Sequence, residues 1–442
     1  MKLSATYFCT LALLLLAACE GAPTPTPAQL PTSTPVPTST SAPTVTSAPT
    51  ATPVAPSTPV LTATLSPTAT LAATATPAPT PTPAAASEPS SGLLEKLSLI
   101  PAGFKDIGIW YGDLGRALEM AGVQPPRSRE DLAQSASVRD AYLDASDGLV
   151  LAPGFMGNVF GNQEWEDVFG FNGFEVTQAV GFGGSSLGVA PPLDSAAYLE
   201  GGFDDGAIRQ KLRDLGYEEV EVSGRTYFSK GDDHAWPSLM APDGIATGTM
   251  NRVYVSDTAL IVAPATQYVT SMLATWANES PSLADDAASS SIALALEDPL
   301  SAGLFTRDVV MDPETGLAAG FAQFERPAEW GTLHEWSDMG AGYGRDAEGE
   351  WWIISIYYAD PDAAAADADE LIGRMQDYDT AVAEQFREVS YPRPIDHSCS
   401  QLTAETRQHE HGSTLSVRCR MTEDGATALH FVELRDLGFL LP

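Results

Sequence analysis

The chain is 442 residues long and carries 58 acidic residues against 23 Lys and Arg, a formal net charge of −35. That balance excludes nucleic acid and anionic lipid headgroups as partners, because both are held by clustered Lys and Arg. Only Lys2, Glu20 and Glu88 are charged before Gly92, so the acidity belongs to residues 92–442, a length at which a single core tends to split in two.

In chain order, residues 1–18 read as a signal peptide. Lys2 is a thin positive start and Phe8 to Leu16 is an apolar run, well short of the roughly 20 residues a membrane-spanning helix needs. Leu16-Ala17-Ala18-Cys19 closes it. This run resembles the lipobox of bacterial lipoproteins, in which small residues precede a Cys that becomes the new N-terminus. The resemblance covers residues 1–19. It implies thioether-linked diacylglycerol on Cys19, the membrane as a partner through that lipid, and a place in the bacterial cell envelope on the extracytoplasmic side. Two or more acyl chains make such an attachment stable. The alternative is an ordinary secretory signal cut at an A-x-A-like site. Cys9 lies in the apolar run and leaves with the peptide in either case.

Residues 19–91 form the next unit. Half of the chain's 34 prolines lie between residues 21 and 90, among many threonines and with Glu88 as the one charge. Such a segment has almost no apolar surface with which to offset the entropy of ordering. Extended at about 3.1 Å per residue, a proline-rich linker of this length reaches on the order of 200 Å. It reads as a disordered stalk.

The remainder reads as α+β, with antiparallel or mixed sheets, helices packed on one face, and two subdomains of strand–helix–hairpin units over residues 92–300 and 301–442. Ala196 to Leu199 is an apolar strand. Asp204 or Asp205 caps a helix carrying Ile208, Leu212 and Leu215 on one stripe, and Gly216 stops it. Glu218 to Val222 and Thr226 to Phe228 flank a turn at Ser223-Gly224; Arg252 to Val255 and Ala259 to Ala263 flank Asp257-Thr258. A helix with Val269, Met272, Leu273 and Trp276 follows. Gly342 to Arg345 and Trp351 to Tyr357 form a later hairpin. Asp360 and Pro361 then open a helix with Ala368, Leu371, Ile372 and Met375 inside, and His430 to Leu434 is a last strand. The recurring strand–helix–strand–strand order hints at a divergent duplication. The run from Gly202-Phe203-Asp204 through Gly216-Tyr217 to Ser223-Gly224 resembles segments of uncharacterised bacterial envelope proteins, a group that brings no activity with it.

Cys399 and Cys419 are the two cysteines left after processing. In an oxidising compartment a lone pair reads as a disulfide, here across a hairpin whose midpoint falls at His409.

Several motifs have chemical content. Gly184-Ser185-Ser186-Leu187-Gly188 has the G-x-S-x-G pattern, but Val189-Ala190-Pro191-Pro192 cannot start the helix that exposes such a serine. His409-Glu410-His411, with His397, has metal-ligand chemistry but sits where the hairpin turns. Asp360, Asp362, Asp367, Asp369 and Glu370 lack the glycine and alternation of a calcium loop and suit a helix start. Asp232-Asp233-His234 reads as a polar loop. The aromatics Phe155, Phe160, Trp165, Phe169, Phe171 and Phe174, with Phe182, are interleaved with glycines. They form either a candidate surface for stacking on sugars or peptides or the core of the first subdomain, and the core is favoured.

No catalytic residue, metal or cofactor emerges. The sequence therefore reads as a non-enzymatic lipoprotein on a stalk with an unidentified ligand or envelope partner. A solute-binding lipoprotein of a transporter and an envelope hydrolase acting through Ser186 are the alternatives.

Overall fold

The computed structural model describes residues 92–146, 149, 165–183, 195–235, 250–311, 326–385, 399–422 and 437–440. Twelve strands form one sheet: β1 Ile109–Asp113, β2 Val176–Phe182, β3 Ala196–Gly201, β4 Glu218–Val222, β5 Arg225–Ser229, β6 Arg252–Val255, β7 Ala259–Ala263, β8 Ser301–Thr306, β9 Asp338–Asp346, β10 Gly349–Tyr358, β11 Cys399–His409 and β12 Gly412–Met421. Their spatial order is β11-β12-β10-β9-β8-β1-β2-β3-β7-β6-β5-β4. Every pairing among these strands is antiparallel.

The order reads outward from the β1–β8 pair. One side runs β1-β2-β3-β7-β6 and the other β8-β9-β10-β12-β11, and the extra hairpin β4–β5 lengthens the first. Along the chain the strand–helix–strand–strand order occurs as β3, the helix Asp205–Asp214, β4 and β5, and again as β10, the helix Ala363–Gln385, β11 and β12. At the centre, Trp110 of β1 lies opposite Gly181 on one side and Gly303 on the other. A Cβ at Gly303 would meet the Phe305 ring at 2.7 Å and Trp110 at 3.4 Å, so the absent side chain is what lets the rings pack.

The α+β class is as the sequence indicates, but the helices cover both faces rather than one. On one face α1 (Gly92–Leu97), α7 (Thr266–Trp276) and α8 (Ala287–Ala295) bury Tyr111, Phe182, Tyr198, Ile261 and Ile353. On the other, α5 (Trp165–Phe169) and α6 (Asp205–Asp214) cover Leu199, Phe228, Leu260 and Val262, while α10 (Ala363–Gln385) covers Trp352, Ile354 and Val417. The signal for this lies in β7, where Ala-Leu-Ile-Val-Ala is apolar at every position and every residue is buried. A strand with one wet face alternates; a strand covered twice does not. A smaller cluster ties α2 (Leu114–Met120) to α4 (Ala136–Ser146) through Leu114, Leu118 and Tyr142.

Local encoding is clear in the first half. The Asp204 carboxylate accepts a hydrogen bond from Ala207 N at 2.9 Å and starts α6; Gly216, at φ 83°, follows its end. Ser223 and Gly224 both have positive φ, the requirement of the tight turn that matches strand twist. The exposed edge strand β4 carries Glu218, Glu219 and Glu221, charges that discourage pairing with another chain. Replacing Asp204 with Ala should lower stability by about 1 kcal/mol, the usual worth of such a cap. An unchanged urea midpoint in that variant would show that α6 does not depend on it.

At the far side β11 and β12 form a hairpin around Glu410-His411, and a disulfide joins Cys399 to Cys419 with Cα atoms 5.4 Å apart. The ladder shifts register between Cys399 and Gln401, beside the bridge.

Candidate functional site

A cleft of about 730 Å3 opens at the end of the sheet where β1 and β9 begin and β8 and β10 finish. Four segments wall it. A 3-10 turn at Ala102–Ile107 presents Lys105 and Asp106; α9 (Arg307–Met311) presents Arg307 and Asp308. The stretch entering β9 presents His334, Glu335 and Trp336, and the exit of β10 presents Ala359 and Asp360. The volume lies in the range of small-molecule sites, which combine an apolar wall with a few converging polar groups.

Lys105 is the hub on one side. Its Nζ lies 2.9 Å from Asp286 and 2.9 Å from Asp338. Asp286 caps α8, accepting from Ser289 N at 2.9 Å, and buried Asp338 also accepts from Ser337 Oγ at 2.6 Å. Burial opposes charge on Lys105, but the hydrogen bonds and charges of Asp338 and Asp286 outweigh it and raise its pKa. Arg307 pairs with Glu335 at 3.4 Å and lies over the Trp336 ring at 6.0 Å.

On the other side His334 is exposed while its partner Asp367, on α10, is only 2% exposed. Asp367 takes the ring Nδ1 at 2.6 Å and the His334 backbone N–H at 2.8 Å. Nδ1 is committed, so Nε2 is the ring nitrogen left for the cleft. The hydrogen bond to Asp367, then its charge and that of Asp360, raise the His334 pKa above the ordinary 6.5. Stability from this pair is therefore fully present below the unfolded histidine value and is lost as pH rises through the higher folded value. An NMR titration should place the His334 midpoint above that of a free imidazole. His334→Gln should flatten the loss of stability across the same window; a variant profile superimposable on the parent's would contradict the pairing.

Of the residues that the sequence singles out, Asp360 lines the cleft and Asp367 holds His334, and the other described ones lie elsewhere. Trp165, Phe169 and Phe171 are 1% exposed or less and pack with Ile208, Leu212 and Phe228. Phe174 is half-buried against the Tyr142 ring. These four are therefore core or core rim rather than a ligand surface, because the apolar side of the sheet needs rings there to fill it. Phe155, Phe160, Ser186, His397 and the strand at His430 to Leu434 lie outside the described residues. His409 Nε2 pairs with Thr414 Oγ1 at 3.0 Å while Glu410 and His411 are exposed at the turn. Asp233 accepts from Thr266 N at 2.7 Å and pairs with Arg252 at 2.7 Å, a structural role at the start of α7. Of the acidic run, Asp367 serves His334 and Glu370 pairs with Arg374 at 2.8 Å. Among the described residues no group of three His, Cys, Asp or Glu is disposed to hold a metal ion, and no helix is long and apolar enough to cross a membrane.

Sequence reasoning passes over Lys105, His334 and Asp338. One signal is present: Asp367 falls four residues before Leu371 and four after Ala363, on the buried stripe of α10, where the helical period calls for an apolar residue.

No family model matches the chain, and no curated protein matches it. Among solved structures, two crystal forms of TP0453 are similar at 11% and 9% identity with TM-scores of 0.32 and 0.31. The alignments cover 78% and 80% of this chain and 98% and 100% of those chains. A likeness at that level carries no functional argument.

Proposed function

We propose that the chain is a non-enzymatic bacterial lipoprotein, lipidated on Cys19, whose stalk displays the folded body on the extracytoplasmic side of the membrane to bind a ligand there. The observation that carries this reading is Leu16-Ala17-Ala18-Cys19 placed directly after an apolar run and directly before the Thr/Pro tract. The cleft supplies a place for a ligand.

Cys19→Ala tests the anchor. The parent should fractionate with membranes and show an acylated N-terminal cysteine by mass spectrometry, and the variant should be soluble. A variant that stays with membranes, beside a parent with an unmodified N-terminus, would overturn the proposal.

The ligand-sized cleft also favours the second reading, a solute-binding lipoprotein of a transporter. Against it stands the sheet, which runs unbroken through the β1–β8 pair, whereas that class is built from two lobes of β-α units with the ligand between them. A hydrolase acting through Ser186 is tested directly by a broad serine-hydrolase probe, and labelling of that serine would promote it over both.

A further inference from the structure

One wall of the cleft has no regular structure, and a single histidine pins it. Residues 331–337 enter β9 as neither helix nor strand and present His334, Glu335 and Trp336 to the cleft. We propose that this stretch is a proton-operated strap: with His334 charged it is held against α10 and keeps its side of the cleft in place, and with His334 neutral it loosens. Its two ends have fixed holds. At the first, the Gly331 carbonyl accepts from Arg326 and Arg374, and a Cβ there would meet the Glu370 carboxylate at 2.9 Å. At the second, Ser337 N donates to Tyr357 O at 3.1 Å, and the Ser337 carbonyl accepts from Arg307 N at 2.8 Å. Buried Leu333 and Trp336 seat the stretch between them. In the middle the hold on α10 is Asp367, whose two oxygens both go to His334, one to the ring and one to the backbone.

Asp367 is almost closed to water, so its charge has to be met by the groups around it. On α10 itself, Arg374 is taken by Glu370. At the exit of β10 the Tyr358 hydroxyl stays protonated, because burial and the Asp367 charge both raise its pKa, and Asp360 is a further anion. Glu335, next to His334, is exposed and paired with Arg307 of α9. The other walls bring Lys105, itself paired with Asp338, and the carboxylates Asp106 and Asp308. The imidazolium is thus the cation that faces Asp367, and Asp367 and Asp360 are the charges that favour it. Loss of the proton leaves a neutral Nδ1–H donor on the same carboxylate. The bond persists without charge assistance, which supplies about half the strength of such a bond. The grip of the stretch on α10 weakens, while β9 stays paired with β8 and β10.

The test is hydrogen–deuterium exchange of the full mature chain in detergent, read by mass spectrometry on either side of the His334 midpoint and corrected for the intrinsic effect of pH on exchange. Peptides within residues 331–337 should lose about threefold more protection on the alkaline side than peptides from β9, the size expected of a partly exposed ion pair. His334→Gln keeps a neutral side chain that can donate to Asp367, and it should show no such extra step. A parallel loss in both sets of peptides means a global fall in stability and overturns the strap. So does a step that persists in the variant, or protection of the stretch that is flat across the midpoint. The readout needs neither ligand nor bilayer, so its failure leaves the lipoprotein and binding readings standing, and failure of Cys19 acylation leaves the strap.

Discussion

Replacing Arg374 with Ala should destabilise the protein by about 3–5 kcal/mol, the usual cost of breaking a buried ion pair by removing one partner. Arg374 is 1% exposed on α10. Its Nε donates to Glu370 at 2.8 Å, and its other nitrogens donate to the carbonyls of Phe439 and Gly331. Its guanidinium also lies 5.5 Å from the Trp330 ring centroid. One planar cation thus joins α10 to the segment entering β9 and to the chain's C-terminal turn. Alanine would remove a donor from the Phe439 carbonyl and from the half-buried Glu370 carboxylate, leave the Gly331 carbonyl with Arg326 alone, and open space beside Trp330 and Tyr378. Arg374→Lys keeps the charge but cannot fork to several acceptors, so it should recover only part of the loss. Urea denaturation measures both variants. A loss below about 1 kcal/mol for Arg374→Ala would mean the site is reached by water and the network is not a support.

Removing the Cys399–Cys419 bridge should cost about 3 kcal/mol. The bridge closes a loop with a sequence separation of 20, and in the chain-entropy account it acts by restricting the unfolded state. The location sharpens the expectation. Among the described strands β11 lies at the edge of the sheet, and its side chains are largely exposed. Cys419 by contrast is fully buried, opposite Trp352. Cys399→Ala/Cys419→Ala avoids burying a hydroxyl there and is the variant to compare. The denaturant midpoint should fall while the slope changes little, and hydrogen exchange should quicken first in β11. A double variant as stable as the parent, with equal protection in β11, would show that the hairpin is held by pairing alone.

Much of the fold is legible in the amino-acid sequence. Asp204 and Gly216 bracket α6, and the unequal spacing of apolar residues marks α7. Arg252–Val255 and Ala259–Ala263 are visible as strands to the residue, and the two cysteines mark a hairpin turning just after His409. The opening of α10 comes two residues later than Pro361 suggests, because Asp360 caps a turn at Asp362 instead. The aromatic run at Trp165 to Phe174 is ambiguous in sequence, since a ring bound for the core and a ring bound for a ligand have the same local pattern; the packing of α5 on the sheet decides it.

By itself, then, the amino-acid order determines the elements and their class, because caps, turn residues and periodicity act within a few neighbouring positions. Tertiary structure alone decides that both halves share one sheet and that a cleft exists at all. Lys105 meets Asp286 across 181 residues and His334 meets Asp367 from a separate element. Such meetings depend on which strands pair and in what order, and strand order is set by long-range burial, which leaves no periodic trace in the segments it brings together.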